Sequence, residues 1–147
     1  LVFWFKKIIS LSDLVAYVLF QIIGAIFGCL AANIIFELPI VTISTHVRHD
    51  LSQFLSEILA TFGLVLVIFV AREVARLNIP VLVGSYIASA YWFTSSTSFA
   101  NPAVTIARQF SDTFTGISPS GIPSFVLAQI FGAILGYIVV RWLFRGV

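Results

Sequence analysis

The sequence contains four long apolar stretches, and these constrain its fold more than any other feature. The stretches cover residues 14–36, 52–71, 80–98 and 122–144. A helix needs about 20 such residues to cross a hydrocarbon core of ~30 Å. Hydrophobic residues make up 60% of the 147 and charged residues 10%, whereas about a quarter of a soluble domain is charged. We therefore predict an all-α, multi-pass protein of the cell (inner) membrane, with the lipid bilayer as a partner.

The basic residues give the predicted orientation. Six of the eight lie on one side if four spans alternate: Lys6, Lys7, Arg72, Arg76, Arg141 and Arg145. The positive-inside rule assigns that side to the cytoplasm, and it leaves Arg48 and Arg108 on the other. Basic pairs at helix ends are the ordinary signal of topology, so we do not predict nucleic-acid binding.

A polar break separates the third and fourth apolar stretches. It contains Asn101, Pro102 and Ala103 and is followed by about ten residues, too few to cross the membrane as a helix. Irregular backbone at membrane depth survives where protein buries it or water bathes it. We predict that residues 101–110 form a re-entrant half-helix that lines an aqueous path, with Pro102 in its first turn and Asn101 as its cap.

The first and last spans contain an internal repeat. Residues 17–28 and 125–136 share Val, Leu, Gln, Ile, Gly, Ala, Ile and Gly at matching places. Two whole spans and one partial span lie between the copies, so the copies enter the membrane from opposite sides, as in many transport proteins. Each copy holds a Gly-xxx-Gly pair that favours close helix packing: Gly24 and Gly28 in the first, Gly132 and Gly136 in the second.

The repeat also leads us to expect an amino-terminally truncated chain. The residues before the second copy include Asn101, but those before the first copy run out after about a dozen positions. Residues 1–9 are typical of the end of a helix whose beginning is missing, and we expect the missing part to hold the partner of residues 101–103.

The sequence offers little for catalysis or metal binding. Cys29 lies within the first span and is interpreted as a small packing residue. His46 and His49 flank Arg48 in a polar connection, but no third ligand is near, so a solvated loop is favoured over a metal site. No nucleotide loop or nucleophile with a base appears. We predict no enzyme activity, no cofactor and no metal.

Together these motifs resemble the aquaporin, or major intrinsic protein, family. The likeness rests on Asn101-Pro102-Ala103, on the Gln-xx-Gly-Ala-xx-Gly repeats that begin at Gln21 and Gln129, and on the Glu-bearing opening of the second span. Residues 91–108 are most similar to a bacterial branch found with arsenic-resistance genes. The resemblance implies part of a right-handed helical bundle, with four spanning helices, one re-entrant half-helix and the remnant of another at residues 1–9.

The resemblance also implies roles for single residues. The Asn101 side chain would donate to a passing oxygen, and the half-helix dipole would repel cations. Glu57 is the one acid well inside a span, and a charge there is costly unless it faces the protein interior. The resemblance implies that Glu57 accepts hydrogen bonds from the re-entrant loop. A proton relay is the competing interpretation, but no chain of titratable partners is visible.

The sequence departs from water-selective members at the predicted selectivity filter. Those members usually carry Arg directly after the second Asn-Pro-Ala, where this chain has Val104. The other filter positions of this half would be Ser98 and Ser89. Arg108 lies one turn further on, and we do not assign it the missing role. Small neutral groups predict a wider mouth that tolerates solutes larger than water.

We therefore predict a passive channel for water and small neutral solutes, such as glycerol and the neutral metalloid hydroxide arsenous acid. The alternative is a non-transporting helical membrane protein that uses its Gly-rich faces for assembly. The resemblance implies a homotetramer for the full-length protein. We expect that the chain alone does not conduct.

Overall fold

The computed structural model of the chain describes residues 2–72 and 78–144. Within these ranges the regular elements are helices, and no strand is present. The six α-helices are α1 (Val2–Phe5), α2 (Leu11–Ile35), α3 (Leu51–Val70), α4 (Ile79–Phe93), α5 (Pro102–Ala107) and α6 (Ile122–Leu143). Two 3₁₀ turns, Arg108–Phe110 and Pro119–Gly121, follow α5 and precede α6. The predicted all-α class is confirmed for the described residues.

Local sequence signals set the starts of three helices. Ser10 and Asp13 form a capping box before α2: Ser10 Oγ accepts a hydrogen bond from Asp13 N at 3.1 Å, and Asp13 Oδ2 accepts one from Ser10 N at 3.2 Å. A proline lies in the first turn of α4 and of α5, Pro80 and Pro102 respectively. Proline suits that turn because its missing N–H would have no partner within the helix.

Three helical stretches are long and apolar enough to cross a membrane. They are α2 with 25 residues, α3 with 20, and Pro119–Leu143, which contains α6. The fourth apolar helix, α4, has 15 residues, or roughly 22 Å, because the chain leaves helical geometry at Thr94. Leu1 of the predicted half-helix remnant, and Arg76 and Arg145 of the predicted cytoplasmic side, lie outside the described residues.

The first of two compact units contains residues 2–48 and 101–123. In it, α2 packs against α5 and against the 3₁₀ turn that follows α5. The segment after α2 runs beside the segment after α5, and Ser44 N donates to Gln109 O at 2.8 Å. These contacts hold the loop after α2, which has no regular structure of its own, beside the 3₁₀ turn that follows α5.

A buried arginine holds the far end of these two loops. Arg48 is 6% exposed, and it donates from Nε to Gly116 O at 2.7 Å and from Nη2 to Phe114 O at 2.6 Å. Ser118 N donates to His46 O at 2.7 Å close by in the chain. A guanidinium can satisfy two carbonyls at once, so one side chain serves both backbone groups.

The second compact unit contains residues 49–72, 78–100 and 124–144. In it, α3 packs against α4. Helix α6 approaches α3 at Gly132 and Gly136, where side chains would collide with the α3 backbone or with Val65. The absence of a Cβ at these two positions therefore permits close approach of the two helices.

Candidate functional site

The segment between α4 and α5 has an unusual backbone. Thr97, Ser98 and Ala100 have φ angles of 62°, 51° and 49°, and none of them is glycine. Left-handed backbone at a residue with a Cβ costs of order 1–3 kcal/mol, so it persists where surrounding contacts hold it in place. Residues 96–100 are all buried, which puts such contacts within reach.

Glu57 provides three of these contacts from the interior of α3, where its side chain is 0% exposed and accepts four hydrogen bonds in all. Oε1 accepts hydrogen bonds from Ser96 Oγ at 2.6 Å and from Phe99 N at 2.8 Å. Oε2 accepts them from Ala100 N at 2.9 Å and from Gln129 Nε2 at 2.7 Å. Hydrogen bonds to an ionised acceptor are about twice as strong as neutral ones. One carboxylate therefore holds the strained backbone that leads into the cap of α5.

Apolar packing encloses this carboxylate. The rings of Phe99 and Phe125 lie 5.1 Å apart between centroids and are tilted by 58°. Phe125 is 0% exposed and Gln129 is 2% exposed. Exclusion of water strengthens each hydrogen bond and makes the loss of a partner more costly.

Asn101 begins the short helix α5 as its N-cap. Its Oδ1 accepts a hydrogen bond from Ala103 N at 2.8 Å, and Pro102 occupies the first helical position. The Asn101 carbonyl oxygen accepts from Thr105 N at 3.0 Å and from Thr105 Oγ1 at 3.0 Å. Because the cap uses Oδ1, Nδ2 is the part of the Asn101 side chain left to donate elsewhere.

A cavity of about 660 Å³ lies in the first unit. Val104 and Arg108, one helical turn apart, line it together with residues of α2 and of the loop after α5. The remaining lining residues are Ala25, Cys29, Ala32, Asn33, Phe36, Leu38, Ala107, Ser111, Thr113 and Thr115. Its volume lies within the ~300–1,000 Å³ that small-molecule sites usually have.

The other two predicted filter residues lie in the second unit. Ser98 is 4% exposed, and its Oγ has no hydrogen-bond partner within residues 2–72 and 78–144. Ser89 is exposed on α4 and donates from Oγ to Ser85 O at 2.9 Å, one turn back. Of these two residues, Ser98 is therefore the one whose hydroxyl forms no hydrogen bond within the described residues.

Comparison with known proteins gives one strong similarity. No protein-family model matches the chain, and no solved structure matches it. The chain is 46% identical over 145 residues to Aquaglyceroporin AqpS of Rhizobium meliloti (strain 1021). The match covers 99% of the chain and 62% of the relative, so the chain spans less than two thirds of the relative's length. The chain is therefore similar to the aquaporin family over almost all of its length.

This similarity agrees with two predictions from the sequence, namely no enzyme activity and a multi-pass membrane protein. Aquaglyceroporins are channels and not enzymes, and three of the described helical stretches are long and apolar enough to cross a membrane. Among residues 2–72 and 78–144, no group of three or more His, Cys, Asp or Glu side chains could hold a metal ion, and the absence of a metal stays a prediction.

The two Gly-xxx-Gly pairs of the aquaporin repeat differ in their surroundings. A Cβ at Gly132 would meet the Ile58 carbonyl and Thr61, and one at Gly136 would meet Val65. A Cβ at Gly24 or Gly28 would meet no atom within 4 Å among the described residues. The second pair therefore packs within the chain, and a packing role for the first stays a prediction.

The sequence analysis missed a polar residue near the end of α2. Asn33 is 3% exposed, and its Nδ2 donates to Ile40 O and to Phe110 O, at 3.0 Å each. Its Oδ1 accepts from Ser111 Oγ at 2.7 Å. This amide joins three segments around the cavity. Its position in an otherwise apolar span was the available signal, because buried polar groups require partners.

Asp112 joins the two loops of the first unit from the solvent side. Its Oδ1 accepts hydrogen bonds from Thr45 N at 2.8 Å and from Thr45 Oγ1 at 3.1 Å. Hydrogen bonding from the Thr45 amide lowers the pKa of the Asp112 carboxyl, with further contributions from the hydroxyls of Thr45 and Ser44 and from His46. The carboxylate is thus the form that holds the loops together.

Proposed function

We propose that the chain belongs to a passive transmembrane channel for water and small neutral solutes. Glycerol-like compounds and neutral metalloid hydroxides are the proposed solutes, with Val104, Ser98 and Ser89 as filter residues. The observation that carries this proposal concerns Val104, which follows Asn101-Pro102-Ala103 directly in the sequence. Val104 lines a cavity of about 660 Å³. The name of the rhizobial relative, an aquaglyceroporin, supports the same solute class.

The side chain of Val104 is the basis of the proposed selectivity. Valine is shorter than arginine, carries no charge and donates no hydrogen bond. A solute with several hydroxyls that passes Val104 meets a wider opening and loses less of its hydration to competing donors. Arsenous acid is uncharged at neutral pH and presents hydroxyl groups as a polyol does, so the same opening suits it.

Glu57 supports a defined geometry at this site. Three of its four hydrogen bonds, those from Ser96 Oγ, Phe99 N and Ala100 N, hold residues 96–100 in a conformation that the backbone would not otherwise keep. Residue 100 is followed directly by Asn101, the N-cap of α5. A loop at membrane depth requires such internal partners. The four contacts favour a positioning role for Glu57 over a proton relay.

Vesicle swelling tests the filter. The 145 matched residues of the rhizobial aquaglyceroporin are replaced by those of this chain, and swelling in glycerol and in water is measured for this chimera and for the 147-residue chain. In the chimera, Val104→Arg is expected to slow glycerol entry about tenfold or more, because even one methylene group in a pocket discriminates roughly 10- to 200-fold and arginine is much larger than valine. Water entry is expected to fall less, since water is smaller.

The matched control is Val47→Arg, which adds the same side chain at an exposed position of the loop after α2. Its glycerol rate is expected to equal that of the unmodified chimera. Equal glycerol rates for Val104→Arg and the unmodified chimera would refute the filter proposal. A chimera that inserts into vesicles but passes neither glycerol nor water would favour the alternative, a non-transporting assembly protein. The molecular mass of the chimera in detergent micelles tests the proposed homotetramer.

A further inference from the structure

The cavity beside Val104 contains one charged side chain. Of its twelve lining residues, Arg108 is the one with a charge, and none is Asp or Glu. Val104 and Arg108 are four residues apart at α5 and the turn that follows it, so they face the same side. The sequence alone did not link Arg108 to the position of Val104. The structure puts both side chains on the same cavity wall.

The walls around Arg108 are largely apolar. Ala25, Ala32, Phe36 and Leu38 contribute no polar side-chain atom to the cavity. A charge in an apolar cleft acts over a longer range than one in water, because low-dielectric walls focus its field. A guanidinium keeps its positive charge when it donates hydrogen bonds.

The polar groups near Arg108 suit oxygen-bearing solutes. Hydroxyls of Ser111, Thr113 and Thr115 lie on the same loop. Asn33 is occupied, because its amide holds two carbonyls and the Ser111 hydroxyl. A solute in the cavity therefore meets a cation and threonine hydroxyls, and no carboxylate that would attract a metal ion or an ammonium group.

We propose that Arg108 is the specificity-determining cation of this cavity, which admits small solutes with oxygen acceptors, neutral or singly negative, and disfavours cations. The inference deepens the proposed function and rests on it for its meaning in transport. Arg108 would supply, one turn further along the chain, a positive charge that Val104 does not. The opening at Val104 would then stay wide, and Arg108 would provide the positive charge.

The chain carries its own reporter for this potential. Cys29 lines the cavity, lies within electrostatic range of Arg108, and is the single cysteine of the sequence. Methanethiosulfonate reagents form a disulfide with its Sγ and release methanesulfinate. Rates are measured on the 147-residue chain in liposomes with three such reagents: sulfonatoethyl (negative), trimethylammonioethyl (positive) and methyl (neutral). Both charged reagents react with the thiolate of Cys29. The ratio of the rate with the negative reagent to the rate with the positive reagent is therefore independent of the thiolate fraction.

The unmodified chain is expected to react about tenfold or more faster with the negative reagent than with the positive one, after division by their rates with a free thiol. Arg108→Gln is expected to lower this ratio about tenfold, and Arg108→Lys to keep most of it. The control Arg141→Gln removes the same charge from an exposed position on α6 and is expected to leave the ratio unchanged.

Several outcomes would overturn the proposal. A ratio in Arg108→Gln within twofold of the unmodified chain would show that Arg108 does not set the potential. If that variant does not fold, the unmodified chain decides, since a ratio of one or less contradicts a cationic cavity. Failure of Cys29 to react with the neutral reagent would show that the cavity is closed to solutes. Labelling of Cys29 does not depend on conduction, so a chimera without glycerol flux would not contradict the labelling result. Likewise, a failed labelling result would not contradict glycerol flux through the chimera.

Discussion

Gln129 donates a hydrogen bond from Nε2 to Oε2 of Glu57 over 2.7 Å, and both side chains are buried. This bond joins α6 to α3 at the same carboxylate that holds the amides of residues 99 and 100. The conformation of the loop before Asn101 therefore depends on a partner almost thirty residues later in the chain. Packing of α6 and order in the loop are coupled through one side chain.

Glu57→Gln is expected to destabilise the chain more than removal of a carboxylate at an exposed position does. The amide keeps one acceptor oxygen and turns an NH₂ group toward donors, so buried N–H groups lose their partner. The expected loss is about 2–4 kcal/mol in the free energy of unfolding, measured by denaturation in detergent micelles. Glu37→Gln, at an exposed position, should change it by less than about 0.5 kcal/mol. Equal values for the two variants would contradict the role of Glu57.

Gln129→Leu tests the coupling between α6 and the loop. The change removes one of the two donors to Glu57 Oε2 at nearly constant volume, and about 1–3 kcal/mol of unfolding free energy is expected to be lost. Gln21→Leu is the matched control, because Gln21 holds the equivalent place in the first repeat and is exposed in this chain. If Gln21→Leu costs as much as Gln129→Leu, the effect does not arise from the contact with Glu57.

Much of the fold could be predicted from the composition of the sequence. Apolar runs of 15 to 25 residues predict helices because the bilayer leaves few other ways to satisfy the backbone. Pro80 and Pro102 mark the first turns of two helices because their rings fit there. The sequence predicts a third span that extends to residue 98, but α4 ends at Phe93. This end was missed because residues 94–98 contain neither a charge nor a proline that would mark the end of a helix.

The candidate site was less accessible from the sequence. An acid inside a span identifies Glu57 as exceptional, but its donors lie 39 to 72 positions away, and pairing over such distances is decided by tertiary packing. The sequence analysis noted Arg108 one turn beyond Val104 but did not assign it the missing role, because spacing along the chain does not show which side chains line a common cavity. Which residues line the same cavity wall depends on the rotation of each helix about its axis and on the path of the loops. Neither follows from the order of residues in the sequence.

The glycines of the second repeat copy are expected to tolerate no side chain. Gly132→Ala introduces a Cβ that collides with the Ile58 carbonyl and with Thr61, and backbone on the facing helix has little room to move. A loss of about 1–3 kcal/mol in unfolding free energy is expected in micelles. Gly24→Ala is the matched control, because its Cβ meets no atom within 4 Å, and alanine favours the helix by up to about 1 kcal/mol. A loss at Gly24 similar to that at Gly132 would point to a contact outside this chain.

The loops of the first unit are expected to separate in acid. Asp112 has a lowered pKa because it accepts the Thr45 amide hydrogen bond, so its contribution is complete above the unfolded pKa of about 3.9. That contribution is lost as the pH falls through the lower pKa of the folded chain. Protection of the Thr45 amide against hydrogen exchange, corrected for the intrinsic rate, should be constant from pH 7 to 5 and fall below about pH 4.

Asp112→Asn is expected to lower this protection at neutral pH and to remove its dependence on acid, because a neutral amide oxygen accepts more weakly than a carboxylate. Asp50→Asn is the matched control, since Asp50 is an exposed N-cap of α3 without a side-chain hydrogen bond to the helix. It should leave the Thr45 profile unchanged. The charge of His46 also contributes to the lowered pKa of the Asp112 carboxyl. An acid-sensitive Thr45 amide in Asp112→Asn would therefore assign the opening to another group.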